Sequence, residues 1–347
     1  MGFDSPLGDK KKNFEMSTTK RHIRILLLSA AALTLLLAGC ERVDGPTPQP
    51  ETQEEIRLDA SVWQMMQGAP SRRVSTYDYQ AALQTEAHFT AAVYQANTAT
   101  AYISPVQVDW NGEPTNKWLF SDGKHYWPAS GNLDFFAYMP KEDDMPSYIS
   151  SINYAVSGEP AAPAPNFVCS DFPMTVAGQE DLKEFIWALT PAQNKAAQGA
   201  TGVTMNFKHP FALIKFVIAS GSGTHVQVNS ISIAGLHTGG ICTFNAAGTA
   251  SIWTIHSGSA TMTITPEEPL KYGTSSTETV PFMVIPKNYG SKYLTVNATW
   301  DDWSDVTISD YGTNVDFNWE PGRIYTYNLT LDKYGLKVDV TKFTEQW

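Results

Sequence analysis

Charge is scarce in this sequence of 347 residues, and positive charge is scarcer than negative. Asp, Glu, Lys and Arg make up 17% of the chain, and 24 Lys/Arg against 35 Asp/Glu leave a formal net charge of −11. A chain of that sign lacks the basic footprint by which proteins hold nucleic acid, which excludes that class of partner. Cysteine is nearly absent, with 3 in all, and no pair has the spacing of a metal-binding motif. There is no Gly-x-Ser-x-Gly elbow, no His-Glu-x-x-His and no phosphate-cradling glycine loop. His88, His125, His209, His225, His237 and His256 stand singly. No catalytic residue, metal ligand or cofactor is expected. Long hydrophobic runs are lacking too. The longest, Ile25 to Ala38, is broken by Ser29 and Thr34 and falls short of the roughly 20 residues of a spanning helix.

What is plentiful is apolar and aromatic. Hydrophobic residues make up 42% and aromatics 12%, with Tyr 15, Phe 16 and Trp 10. That composition fills a core, and recurrent Thr, Tyr, Trp and Val favour strands. The length suits two ordinary domains.

The first 39 residues form a secretory signal. Lys20, Arg21 and Arg24 precede the apolar run, which ends in Leu37-Ala38-Gly39-Cys40. This is similar to a bacterial lipobox, in which the Cys40 thiol takes a diacylglycerol and becomes the new N-terminus. Met16 offers an alternative start, with Ser17 to Arg24 as its basic region. Beyond residue 39 the chain carries 18 Lys/Arg and 32 Asp/Glu. The acyl chains would anchor it to a membrane outside the cytoplasm, each buried CH₂ contributing about 0.8 kcal/mol. Cys169 and Cys242 could be buried thiols or, in an oxidising compartment, a disulfide.

Residues 40–55 read as a flexible linker with Pro46, Pro48 and Pro50. A first strand is predicted near Ile56 to Met65, where Ile56, Leu58, Ala60 and Val62 alternate with polar residues. Gly68 and Pro70 break it, and the dibasic pair Arg72-Arg73 follows. Lys117 to Ser121 and Lys124 to Trp127 flank Asp122-Gly123 and predict a hairpin with a type I′ turn. Leu133 to Tyr138 is apolar on both faces and predicts a buried strand. Lys141 to Pro165 reads as loop. Glu180 to Leu189 is ambiguous: Leu182, Phe185, Ile186 and Leu189 match helical spacing, but the segment is short, and a strand around Phe185 to Ala188 is the preferred reading. Gln193 to Gly202 reads as an inter-domain connection. Phe207 to Ala219 is a long apolar run, with Pro210 marking a bulge or an edge. Val226 and Val228 alternate on one phase and Ile231 and Ile233 on the other, predicting a bulge near Asn229-Ser230. Leu294 to Trp300, Tyr325 to Leu331 and Leu336 to Val340 alternate as strands. Many short strands without a long helix argue for antiparallel sandwiches.

Glu142-Asp143-Asp144 and Asp301-Asp302…Asp305 could offer oxygen ligands but lack the spacing of a calcium loop, so solvated loop is the expectation. Trp300 and Trp303 beside those acids could stack a sugar, or Trp300 could continue the Leu294 stripe into the core.

Several stretches together resemble the fimbrillin-like lipoproteins of Bacteroidales, subunits of type V pili. They are the lipobox, Lys124 to Pro140 with its Trp-Pro…Leu-x-Phe-x-Ala-Tyr-x-Pro pattern, and Val203 to Val217. Val284-Ile285-Pro286, Phe317 to Tyr327 with its Pro-Gly-x-x-Tyr-x-Tyr turn, and Val338 to Trp347 complete the series. No single motif is specific, but their order over about 290 residues is.

The resemblance implies an all-β fold of two tandem transthyretin-like antiparallel β-sandwich domains, at 56–203 and 204–347. It implies a structural or adhesive fimbrial subunit at the outer membrane and cell surface, not an enzyme. It also implies lipid attachment at Cys40 and proteolytic removal of the first strand after an arginine, Arg73 first and Arg72 second. Other fimbrial subunits would then fill the vacated groove with a strand, and a host or bacterial surface receptor would be a further partner. Stalk subunits of this kind carry a donor segment after the closing strand, and here the sequence stops at Trp347, which suggests a tip or accessory component. The alternative is a surface-anchored lipoprotein that binds glycans.

Overall fold

The computed structural model describes residues 53–62, 88–111, 117–179, 182–199, 202–220, 225–256, 258–265, 270–272, 277–278, 281–301, 306–332, 335–339 and 345–346. In chain order the strands are β1 (Leu58–Val62), β2 (His88–Gln95), β3 (Ala101–Trp110), β4 (Trp118–Phe120), β5 (Leu133–Met139), β6 (Ile149–Asn153), β7 (Val156–Ser157), β8 (Ala162–Pro163) and β9 (Asn166–Cys169). There follow β10 (Ile186–Gln193), β11 (Val203–Phe207), β12 (Ala212–Ser220), β13 (His225–His237), β14 (Gly240–Phe244), β15 (Ser251–Ile255) and β16 (Ser259–Ile264). The last are β17 (Leu270–Tyr272), β18 (Thr277–Glu278), β19 (Phe282–Val284), β20 (Asn288–Asp301), β21 (Val306–Asn318), β22 (Arg323–Asp332), β23 (Gly335–Asp339) and β24 (Glu345–Gln346). The molecule is mostly β. A single α-helical turn, Val176–Gln179, and a 3₁₀ turn, Glu142–Asp144, are the helical pieces among the described residues.

A seven-stranded sheet runs β10-β5-β2-β3-β4-β1-β11. Its two ends meet. Trp187 on β10 and Lys208 just past β11 exchange backbone hydrogen bonds of 3.2 and 2.8 Å, and the Thr190 hydroxyl donates to the Thr204 carbonyl at 2.8 Å. The sheet therefore curls back on itself around a core that includes Ile56, Leu58, Phe89, Val93, Trp118 and Phe207. Closure removes the open edge that strand pairing would otherwise leave.

A second core lies between the sheet β18-β12-β22-β23 and the sheet β16-β13-β20-β21. The alternations read from the sequence build it. Val226, Val228, Ile231 and Ile233 are all buried, and the β13–β20 register slips between Val228 and Ser230 where the two phases meet. Asn229 at the slip donates to Asn297 Oδ1 and Thr299 Oγ1, each at 2.9 Å. Leu294, Val296 and Ala298 are fully buried, as are Leu329 and Leu331. The long apolar run around Pro210 resolves into two strands in different sheets, β11 and β12. Not every pairing is antiparallel: β1 with β11 and β12 with β22 run parallel.

β5 and β10 are buried on both faces. Phe135, Ala137, Met139, Ile186 and Ala188 belong to the first core, while Phe136, Tyr138, Phe185 and Trp187 belong to the second. A four-stranded sheet, β15-β14-β9-β6, also draws strands from both halves of the chain, with β9 paired to β14. The stretches 56–203 and 204–347 thus do not keep to separate sheets: β11 lies in the first sheet, and β14 and β15 extend β6 and β9. Thr52–Trp347 packs as one compact unit.

Two local expectations are corrected. Lys141 to Pro165 is not all loop, since β6 forms there and pairs with β9. Asp122-Gly123 makes no type I′ hairpin. Only Gly123 has a positive φ, at 121°, and residues after it turn away from β4 to meet the chain's first segment instead.

Candidate functional site

The first strand occupies a slot inside the curled sheet. β1 pairs in parallel with β11 over five positions, from Leu58 opposite Val203 to Val62 opposite Phe207. On its other side it meets β4 at Leu58 opposite Trp118. Beside this pairing lies a cleft of about 340 Å³ lined by residues that include Glu55, Arg57, Trp118 and Phe120. Ile56, Leu58 and Ala60 point into the core and are no more than 8% exposed. β11 joins its sheet ladder through β1, so β1 is an interior strand and not an appendage.

The segment ahead of β1 is tied down by main chain and side chains. Ile56 N donates to the His125 carbonyl at 2.8 Å and Trp127 N to the Glu54 carbonyl at 3.0 Å, which is the pairing that replaces the expected hairpin. Val203 N donates to the Arg57 carbonyl at 2.7 Å. Gln198, on the β10–β11 loop, accepts from Arg57 N at 2.8 Å. Three charge pairs surround it: Glu54 with Arg57 at 3.6 Å and with Lys195 at 3.7 Å, and Glu55 with Lys124 at 3.2 Å. All are partly exposed and so weak individually.

Close to where the sheet closes lies a buried carboxyl–imidazole couple. Glu184 precedes β10 and His209 follows β11. Glu184 Oε1 and His209 Nδ1 are 2.8 Å apart, with both side chains 1% exposed. Burial pushes the Glu184 carboxyl above its usual range, and His209 pulls against that shift. Its place at the seam makes it a structural tie.

Cys40, Arg72 and Arg73 lie outside the described residues, as do Met16 and Trp303. The first-strand expectation is met by β1 at Leu58–Val62, shorter than Ile56 to Met65; residues 63–65 lie outside the described residues. β20 carries the Trp300 backbone opposite Val226 and Thr307. Cys169 and Cys242 are free, buried thiols, and burial pushes both upward. They sit diagonally on β9 and β14, because Cys169 faces Gly240 and Cys242 faces Phe167. Gln198 and Gly202 carry no signal in the sequence: their stretch has the small, polar composition of a connection, and a glutamine in a polar loop makes no pattern.

Comparison with known proteins gives the class first: a structural, non-enzymatic protein of the fimbrial kind. The model of the fimbrillin-like family matches residues 73–347, and the chain belongs to that family. Among solved structures, a fimbrial protein from Bacteroides vulgatus is similar at TM-score 0.56 and 16% identity, covering 84% of this chain and 99% of its own. A cell adhesion protein from Bacteroides ovatus is similar at TM-score 0.50 and 14% identity, covering 85% of this chain and 98% of its own. At such identities the likeness speaks for the fold alone. No curated protein matches the sequence. Family membership implies a cell-surface fimbria as the setting and other fimbrial subunits as partners.

Proposed function

We propose that the protein is a fimbrial subunit whose first strand is a placeholder, removed by proteolysis and replaced by a strand from another subunit. The chain is exported as a lipoprotein acylated at Cys40, so that it reaches the outer membrane tethered. A trypsin-like protease cuts after Arg73, or after Arg72, and β1 leaves with the released piece. One observation carries the reading. β1 completes the curled sheet, yet it lies outside residues 73–347, the stretch shared with the family.

The physics favours replacement over an empty slot. Loss of β1 leaves unpaired backbone on β11 and strips cover from the first core. Burying Ile56 and Leu58 contributes about 1.5–3 kcal/mol each, before any ladder hydrogen bond is counted. An incoming strand satisfies both needs at once. The finer architecture belongs to this reading as well: two transthyretin-like sandwiches in tandem, the first including β11 and the second beginning with β12, with β9 and β14 joining them. Position in the fibre, stalk or tip, turns on whether the subunit also donates a strand.

Treat the purified protein with a trypsin-like protease, sequence the new N-terminus, and measure mass in solution beside donor-competent subunits. The expected result is an N-terminus at Val74 or Arg73, followed by association. A chain left intact, or cut but still monomeric, overturns the mechanism. Membrane fractionation of Cys40→Ala tests the anchor: retention as firm as wild type overturns lipidation.

A further inference from the structure

The β10–β11 loop grips the segment ahead of β1 chiefly by its backbone. A glutamine side chain offers two acceptor lone pairs and two N–H donors, and Gln198 uses all four here. Its Oε1 accepts from Arg57 N at 2.8 Å and from Trp127 Nε1 at 3.1 Å. Its Nε2 donates to Glu54 Oε1 at 3.2 Å and to the Glu55 carbonyl at 3.4 Å. Four residues on, Gly202 sits at φ +126°, and a Cβ there would lie 2.5 Å from the carbonyl carbon and oxygen of Arg57 and 2.8 Å from Leu58 N. Only glycine combines that φ with that approach. The next residue, Val203, then begins the parallel ladder.

Most of these contacts would be met by any extended chain at 55–57. The side chains that are read are the two carboxylates, Glu54 by Gln198 and Lys195, and Glu55 by Lys124.

We infer that Gln198 and Gly202 form a clamp that sets the register and direction of whatever strand fills the slot, and that it selects a strand led by two acidic residues. The guest runs parallel to β11 with the pattern acidic-acidic-apolar-x-apolar-x-apolar, the apolar residues taking the places of Ile56, Leu58 and Ala60. This rests on the proposal that the slot exchanges its strand. The backbone grip supplies register, and the lysines supply a salt-sensitive preference.

Two measurements test it. In the intact chain, hydrogen exchange is followed over residues 53–62 and over β5. Gln198→Ala and Gly202→Ala should each speed exchange at the Arg57 amide about tenfold while β5 stays slow, because only the clamp's own bonds are lost. Gln198→Glu should do the same through repulsion from Glu54, and adding Glu54→Gln should restore part of the protection by swapping donor and acceptor. Rates within twofold of wild type overturn the clamp. In the protease-cut protein, the peptide Gln53–Val62 should bind about fivefold tighter than its Glu54→Gln, Glu55→Gln version at low salt and not at high salt. Equal binding of both peptides overturns the acidic preference and leaves strand exchange standing. Binding of neither overturns strand exchange, and the guest inferred here falls with it.

Discussion

Glu184 shows how one buried side chain can tie the fold and make it respond to pH. Its carboxyl is buried beside His209 where the seven-stranded sheet closes, and burial raises its pKa in the folded state. In the unfolded chain the same carboxyl titrates near 4.3. The folded state therefore holds a proton that the unfolded chain has already released. The stability this group contributes is fully present below the unfolded pKa and is lost as pH rises through the folded one. Glu184→Gln cannot titrate. Urea melts from the unfolded carboxyl's pKa of about 4.3 upward should show wild type losing ground to Glu184→Gln as pH rises. A difference constant over that range would mean the carboxyl titrates as it does in the unfolded chain.

At the scale of elements, β1 is the strand to watch. Its neighbours impose two different geometries: parallel with β11 along its whole length, and antiparallel with β4 at Leu58. Leu58 is the one position where both ladders and the core meet. Leu58→Ala should cost about 2–5 kcal/mol, in the range of other large-to-small core changes. The loss should fall on the seating of β1. The expected signature is faster hydrogen exchange in residues 56–62 and earlier cleavage after Arg57, with β13 and β20 unaffected. Uniform loss of protection across both cores would show instead that β1 opens only when the whole molecule unfolds.

For the whole molecule, the shared strands matter more than the count of sheets. Phe135 and Phe136 are adjacent on β5 yet serve different cores, and β10 divides its side chains the same way. A core cannot melt alone if its wall is also the wall of its neighbour. Phe135→Ala and Phe136→Ala should each cost about 3–5 kcal/mol and move one cooperative transition. Intrinsic tryptophan fluorescence and far-UV circular dichroism in denaturant would check this. Two separable transitions, each moved by one variant, would show that the cores behave as independent domains.

The sequence by itself determined what depends on near neighbours along the chain. Period-2 alternation marked β1, β13, β20 and β22. The phase change between Val228 and Ile231 located the bulge, because a one-residue slip turns every later side chain to the other face. Unbroken apolar character in Leu133 to Tyr138 announced a strand covered on both sides. Which strands would be neighbours was decided only in three dimensions. Asp122-Gly123 promised a local hairpin, but Glu54 to Ile56 offered residues 125–127 better partners. Val203 to Phe207 took its place beside β1, and β9 beside β14, through pairings between residues far apart in the chain. Backbone N–H and C=O groups are alike at every residue, so a ladder leaves no mark in composition until its partner arrives. The same holds for the clamp. Gln198 and Gly202 gain their roles from the backbone of residues 54–58, which lies some 140 positions away in sequence and within hydrogen-bonding distance in the fold.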